Sequence, residues 1–273
     1  MKITVIIPSR GRSLQLLATV GVMRKRESGA HDVTYVIACD DDDKETQGTC
    51  QLLMAGDRVK YGVFRRSPSL GGMVNRLAKM VPGDVYCSLC DDVIIETECW
   101  DQKIADAVEA RPDGVFWWKT PPDRPATYAI VTHKWYEAAG RIFTDYFPFW
   151  WDDLWLLETW ILASEGPWLH VDAWLSDRPM RTQRMRDLLF WHDFYHAMRP
   201  ARIADAKRIA AALGWELTGI TEPLAEHIGK PSEAFLADAE NIEKRQGDVD
   251  KPPTPEYLKA KARAESILAE MAA

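Results

Sequence analysis

A run of β-branched residues, Lys2-Ile-Thr-Val-Ile-Ile-Pro8, opens the chain and passes straight into an arginine-bearing loop, Ser9-Arg-Gly-Arg12. Such a run is too short for a buried helix and reads as a buried strand ended by proline. Ser13 is expected to cap a helix whose apolar positions Leu14, Leu17, Val20 and Met23 recur at helical spacing, with Lys25 and Arg26 near its end. The pattern then repeats. Val33 to Cys39 reads as a second strand, Gln51 to Met54 as part of a helix and Val59 to Arg65 as a third strand. Strands alternating with helices predict an α/β fold with a mixed, mainly parallel sheet flanked by helices.

The stretch Asp84 to Glu96 carries the same strand pattern into paired acids, and Asp91 with Asp92 is expected to end that strand. Open α/β sheets bind ligands at the carboxyl ends of their strands. Adjacent carboxylates repel unless a cation or hydrogen-bond donors offset them, so a hard divalent metal carrying phosphate oxygens suits the pair. A solvated turn would use the same residues. The acidic run Asp40 to Asp43 obeys a similar constraint. At least two of the four must face water, while Asp40 or Asp41, at the strand terminus, is placed to accept hydrogen bonds from a ribose or a base edge. Gly71 and Gly72 allow close backbone approach just before a helix running to about Met80, with Asn75 in its first turn. Cys87 and Cys90 are spaced like a metal or redox pair. On a strand they face opposite sides, so they read as core.

Size and charge narrow the class. The chain has 273 residues, 47% of them apolar, which is enough for one large domain or one domain with an appendage, and its formal net charge of −7 argues against a general polyanion binder, although a local basic face could still serve one. The longest apolar segment, Leu154 to Ala163, includes Glu158 and is too short to span a bilayer, so no membrane-spanning segment is expected. Nothing resembles a signal peptide, and an odd number of cysteines, 5, suggests reduced thiols in the cytoplasm.

Further strands are expected at Val115 to Trp118 and Tyr128 to Thr132, after a helix from Glu98 to Ala110. A dense aromatic stretch, Thr144 to Trp151, then runs into a second acid pair, Asp152 and Asp153, at a helix start. Acids are favoured there by capping and by the helix dipole. Tryptophans beside carboxylates are also what a sugar or base platform needs, and Trp150 and Trp151 are the candidates for it.

Together these residues resemble a family-2-type glycosyltransferase of the GT-A fold: ITVIIPSRGR, VIACDDDD, SPSLGGMVNRLAKMVPGDVYCSLCDDV and WWDDLWLLE stand in the family's order and spacing. The resemblance covers roughly residues 1 to 177. It implies a nucleotide-diphosphate sugar donor, most often a UDP-sugar, a divalent metal (Mn2+ or Mg2+), and inverting transfer to an acceptor hydroxyl. Pro8, Ser9, Arg10 and Arg12 match the loop that holds the nucleotide; Asp40 or Asp41 matches the acid on the base or ribose. Gly71 and Asn75 match the helix start under the donor, Asp91 and Asp92 the metal-binding acids, and Asp152 and Asp153 the acidic pair whose second member is the catalytic base. Two departures stand out. Asp177 occupies the position where the family often has a metal-binding histidine, leaving His192 as a substitute and His170 as a strand residue expected to be structural. The acid motif reads Cys-Asp-Asp in place of Asp-x-Asp.

From residue 178 arginines interleave with aromatics, and a helical extension over 178–273 is expected, with a helix from Ser232 to Arg245 and a last one started by Thr254 and Pro255. This tail would pack on the core or on a second copy, giving a homo-oligomer. Arg181, Arg184 and Arg186 could contact phosphates, of the donor or of a nucleic acid, or line a solvated helix face. A saccharide or glycan hydroxyl is the first acceptor expected, and a hydroxymethylated pyrimidine in phage DNA the second. A nucleotidyltransferase and a non-catalytic sugar- or nucleic-acid-binding protein are the readings from other classes.

Overall fold

A computed structural model describes residues 1–55, 58–120, 127–177, 185–219, 233–247 and 250–272, with Asp177, residues 233–236 and Gln246 described in their backbone only. Eight strands form one sheet: β1 (Lys2–Ser9), β2 (Asp32–Asp40), β3 (Val59–Phe64), β4 (Val85–Ser88), β5 (Val93–Ile95), β6 (Val115–Lys119), β7 (Ala129–Thr132) and β8 (His170–Asp177). Their order is β3-β2-β1-β4-β7-β6-β8-β5. The pairs β1·β2, β1·β4, β2·β3 and β6·β8 are parallel, whereas β4·β7, β6·β7 and β5·β8 are antiparallel. The β-branched runs become the central strands because they are buried on both faces: Ile3, Val5, Ile6 and Ile7 are fully buried, as are Val33, Val36 and Ile37. Since β2 and β4 flank β1 on opposite sides, the chain order reverses beside β1, the place where open sheets of this kind take ligands.

The chain groups into two compact units. The sheet unit comprises Met1–Arg66, Met73–Ile142 and Trp168–Pro179; the helical unit comprises Ser67–Gly72, Phe143–Pro167 and Met180–Ala273. Helices α1 (Ser13–Lys25), α2 (Lys44–Leu53), α4 (Trp100–Ala110) and α5 (His133–Ala139) belong to the first, and α3 (Leu70–Met80) begins in the second and continues in the first. The second unit holds α6 (Asp152–Ser164), α7 (Leu188–Ala197), α8 (Arg199–Leu213), α9 (Glu233–Gln246) and α10 (Pro255–Ala272). Thus α6 and the aromatic stretch before it group with the helices that follow residue 177.

Phe147, Trp151, Trp155, Trp191, Phe194, Tyr195 and Tyr257 form the core of the helical unit. Across it, Arg202 on α8 and Glu158 on α6, each 1% exposed, form an ion pair, and Tyr195 donates to Glu158 at 2.8 Å. Thr254 caps α10 by accepting from the Tyr257 N–H at 3.2 Å, and Pro255 is its first residue, as expected. Among the described residues no helix is long and apolar enough to cross a membrane.

Three local expectations are corrected. Ser13 is not a cap but the first residue of α1, and its hydroxyl donates to Glu45. The buried stripe of α1 is Ser13, Leu16, Thr19, Val20 and Met23, while Leu14 is 76% exposed and Leu17 43%. The stripe tolerates Thr19 because its hydroxyl bonds the carbonyls of Asp91 (2.9 Å) and Val93 (2.8 Å). Finally, β4 stops at Ser88, and Asp91 with Asp92 forms the turn leading into β5.

Candidate functional site

The loop after β1 and the turn after β4 meet in one charged cluster. Ser9 donates to Asp91 Oδ2 at 2.7 Å, and Arg12 donates to Asp91 Oδ1 at 2.9 Å and to Asp92 Oδ2 at 3.3 Å. Asp91 is 3% exposed. Burial pushes its carboxyl above the ordinary range, while Arg12 and Ser9 pull against that rise. Burial opposes the charge on Arg12 as well, but Asp91 and Asp92 hold it as a firm cation. Two acids in a turn are therefore tolerated because an internal arginine stands between them.

A second arginine organises the acidic run. Arg10 pairs with Asp40 at 3.0 Å and holds both oxygens of Asp42. Its hydrogen bond lowers the Asp42 carboxyl to about 2. Asp43 caps α2 through Thr46 and accepts from the Gly11 N–H at 2.7 Å; burial works against its charge, yet these bonds hold the pKa below the usual range. Gly11 has φ +63, a left-handed backbone that favours glycine, and this turns its N–H towards Asp43. Asp41 and Asp42 face water and Asp40 is 3% exposed, in line with the expected division of the run. The sequence reading did not anticipate Asp42 and Asp43 as partners of this loop.

At α3 both glycines lie inside the first turn, not in a loop before it. A Cβ on Gly71 would stand 1.8 Å from the Thr144 carbonyl oxygen, so the close backbone approach expected there exists. Asn75 lies in the second turn, and its Oδ1 accepts from the Ile142 N–H at 2.9 Å.

In the helical unit, α6 starts at Asp152 after two left-handed residues, Trp150 (φ 46) and Trp151 (φ 54). The expected platform splits. Trp150 is 38% exposed, but Trp151 is buried against Phe147 and Phe149 and is not available to a ligand. Asp152 is buried. Asp153 is half-buried, its Oδ1 accepts from the Leu154 N–H at 2.8 Å, and burial pushes its carboxyl up to about 6. That value suits a group that must take up a proton near neutral pH.

The donor set for a divalent cation consists of oxygens. Val93 stands opposite Asp177 in the β5·β8 ladder, so the Asp177 backbone lies one register step from Asp92. Among the described residues no group of three or more His, Cys, Asp or Glu could hold a metal. Both oxygens of Asp91 are engaged by Ser9 and Arg12, and Asp92 Oδ2 accepts from Arg12 at 3.3 Å. One or two carboxylates completed by substrate phosphates is a donor set suited to Mg2+ or a similar hard cation.

His170 is exposed on β8 and not a buried structural residue; its ring lies 5.0 Å from that of Trp168. His192 lies on α7 in the helical unit, beside Asp193 at 3.0 Å and with its ring 4.4 Å from that of His196. Arg181 and Arg184 lie outside the described residues. Arg186 donates to the Lys251 carbonyl at 2.9 Å and lies over the Tyr257 ring at 5.5 Å. Cys87 is buried and Cys90 partly so, and neither forms a disulfide.

The sequence matches no family model and no curated protein. In three dimensions the chain is similar to residues 1–349 of TarS from S. aureus in complex with UDP, at 14% identity and a TM-score of 0.58, covering 97% of this chain and 83% of that one. The same TarS segment in complex with UDP-GlcNAc matches at 13% identity and a TM-score of 0.57, over 95% and 79%. The mannosyltransferase PcManGT from Pyrobaculum calidifontis, in complex with GDP-Man and Mn2+, matches at 13% identity and a TM-score of 0.53, over 97% and 80%. The chain has the GT-A-like α/β fold.

Proposed function

We propose that this chain is a glycosyltransferase that moves a sugar from a nucleoside-diphosphate sugar, with UDP the favoured nucleotide, to an acceptor hydroxyl. The observation that carries this reading is the charged cluster at the ends of β1, β2 and β4, where Arg10 holds Asp40 and Arg12 holds Asp91 and Asp92 at the reversal of strand order. The bound nucleotides of similarly folded proteins, UDP, UDP-GlcNAc and GDP-Man, support it.

Pro8, Ser9, Arg10 and Asp40 receive the nucleotide, with Asp41 facing the solvent beside them. Asn75 supports this floor by fixing the Ile142 backbone. Asp92 and Asp177 would hold a divalent cation, which when bound neutralises the diphosphate as it departs. Asp91 acts behind them, anchored by Ser9 and Arg12. Asp153 takes the acceptor proton; the acceptor oxygen bonds to the anomeric carbon as the bond from that carbon to the diphosphate oxygen breaks. A single displacement of this kind inverts the anomeric centre. Asp152 is buried at the start of α6, beside Asp153. A saccharide or glycan hydroxyl is favoured over a DNA base. Arg186, the member of the three arginines within the described residues, is tied to Lys251 and Tyr257, and the net charge is −7.

Release of nucleoside diphosphate from a panel of nucleotide sugars, with and without Mn2+, tests the reading. Metal-stimulated hydrolysis of at least one donor is expected, and neither hydrolysis nor nucleotide binding across the panel would remove it. Asp92→Ala should abolish the Mn2+ dependence of nucleoside-diphosphate affinity in calorimetry. Unchanged affinity would move the cation elsewhere.

A further inference from the structure

Strand β8 carries a second feature that the transfer chemistry does not use. Along it Val171, Ala173 and Leu175 are buried, while His170, Asp172 and Trp174 alternate on the opposite face and are exposed. Trp174 is 50% exposed. A single exposed indole is common on protein surfaces and carries meaning only through what surrounds it.

Its surroundings define what that is. On one side Lys119 of β6 pairs with Asp172 at 2.6 Å and lies over the indole, 6.0 Å from its centroid. On the other, Ser176 donates to Glu96 at 2.5 Å. Residues two apart on a strand are separated by roughly 6.6 Å, so the indole is bracketed by two sets of hydrogen-bonding groups on one surface. An aromatic face is negative at its centre and accepts polarised C–H groups. The rim offers ammonium and hydroxyl donors together with carboxylate acceptors.

We propose that this face of β8 is a saccharide-binding platform: a pyranose stacks its C–H face on Trp174 while its hydroxyls bond Lys119, Asp172, Ser176 and Glu96. The charges around the indole are the carboxylates of Asp172 and Glu96 and the ammonium of Lys119, with Lys103 also acting on Asp172, and this near balance suits a neutral sugar. As a subsite for the acceptor glycan the platform rests on the glycosyltransferase reading; as a sugar-binding surface it does not.

Neutral tetrasaccharides of gluco, N-acetylgluco, manno and galacto configuration, titrated calorimetrically into the intact protein, test it. At least one should bind, Trp174→Ala should weaken it by about tenfold or more, and Trp174→Phe should retain most of the affinity, since a smaller ring still offers a face. Nucleoside-diphosphate affinity and donor hydrolysis should not change in either variant. The platform is overturned if no saccharide binds the wild type, if Trp174→Ala binds as well as the wild type, or if duplex DNA binds this face in place of the sugar. Absence of donor hydrolysis in the wild type would strike the transferase reading alone and leave the platform to the titration.

Discussion

Asp91, at the strand ends of the sheet unit, has Arg12 and Ser9 on its two oxygens, whereas Asp153, in the first turn of α6, has one backbone N–H and no cation paired with it among the described residues. Burial pushes both carboxyls up. In the first case a fixed cation opposes the rise, and the acid anchors the loop after β1. In the second little opposes it, and the acid can change protonation near pH 6. One cause, desolvation, thus meets a paired cation in one unit and little opposition in the other.

The largest effect expected comes from a third acid, more deeply buried than either. Arg202→Met leaves Glu158 desolvated beside Tyr195 and the half-buried Arg199. It should cost about 3–5 kcal/mol in denaturant unfolding, and a loss below about 1 kcal/mol would mean that buried acids here do not need cations. Next, Asp153→Asn should lower turnover about a hundredfold or more while leaving donor affinity intact. Wild-type activity should rise with pH through about 6 and then level, so a flat profile from pH 5 to 8 would deny Asp153 the role of base.

Smaller and more telling is a pair of stability changes of opposite sign. Arg12→Met should destabilise the protein by about 1–3 kcal/mol, because Asp91 then loses its cation and keeps neutral partners such as Ser9. Asp153→Asn should stabilise it at pH 7 by about 1–2 kcal/mol, after discounting for partial exposure. The raised carboxyl binds its proton more tightly folded than unfolded, so wild-type stability falls as pH rises from about 4 to about 6. The gain in melting temperature from Asp153→Asn should therefore be near zero at pH 4 and complete above pH 6. Two changes of the same sign would erase the distinction between the two acids.

Much of this contrast could be read from the chain and part could not. The strands β1 and β2 and the loop between β1 and α1 were legible because β-branched runs bounded by proline and charge have few other uses. The face of α1 was misassigned to Leu14 and Leu17 because its true stripe includes Ser13 and Thr19, whose hydroxyls are satisfied inside the fold. Hydrophobic periodicity counts such residues as polar. The end of β4 was placed three residues late because Leu89 and Cys90 continue the apolar run. Arg12 could be marked as a loop arginine, but its partners lie 79 and 80 residues away and come near only through the parallel pairing of β1 with β4. Trp150 and Trp151 are indistinguishable by composition, and only the packing of Trp151 against Phe147 and Phe149 shows which is buried.

Gly71 has a consequence for descent. Where the Thr144 carbonyl passes the first turn of α3, a β-carbon would stand 1.8 Å away, and its neighbour on the other side is the Phe143 Cβ at 3.0 Å. Neither is the loose end of a flexible side chain. Every replacement that a single base change can bring to a glycine codon carries a β-carbon, alanine included. A lineage therefore has no small step away from glycine here unless the backbone around residue 144 moves in the same generation. Surface loops can lengthen and the aromatic core can be repacked gradually, but this position changes only in concert. Among distant descendants it should outlast the acid motifs as the landmark by which their sequences are brought into register.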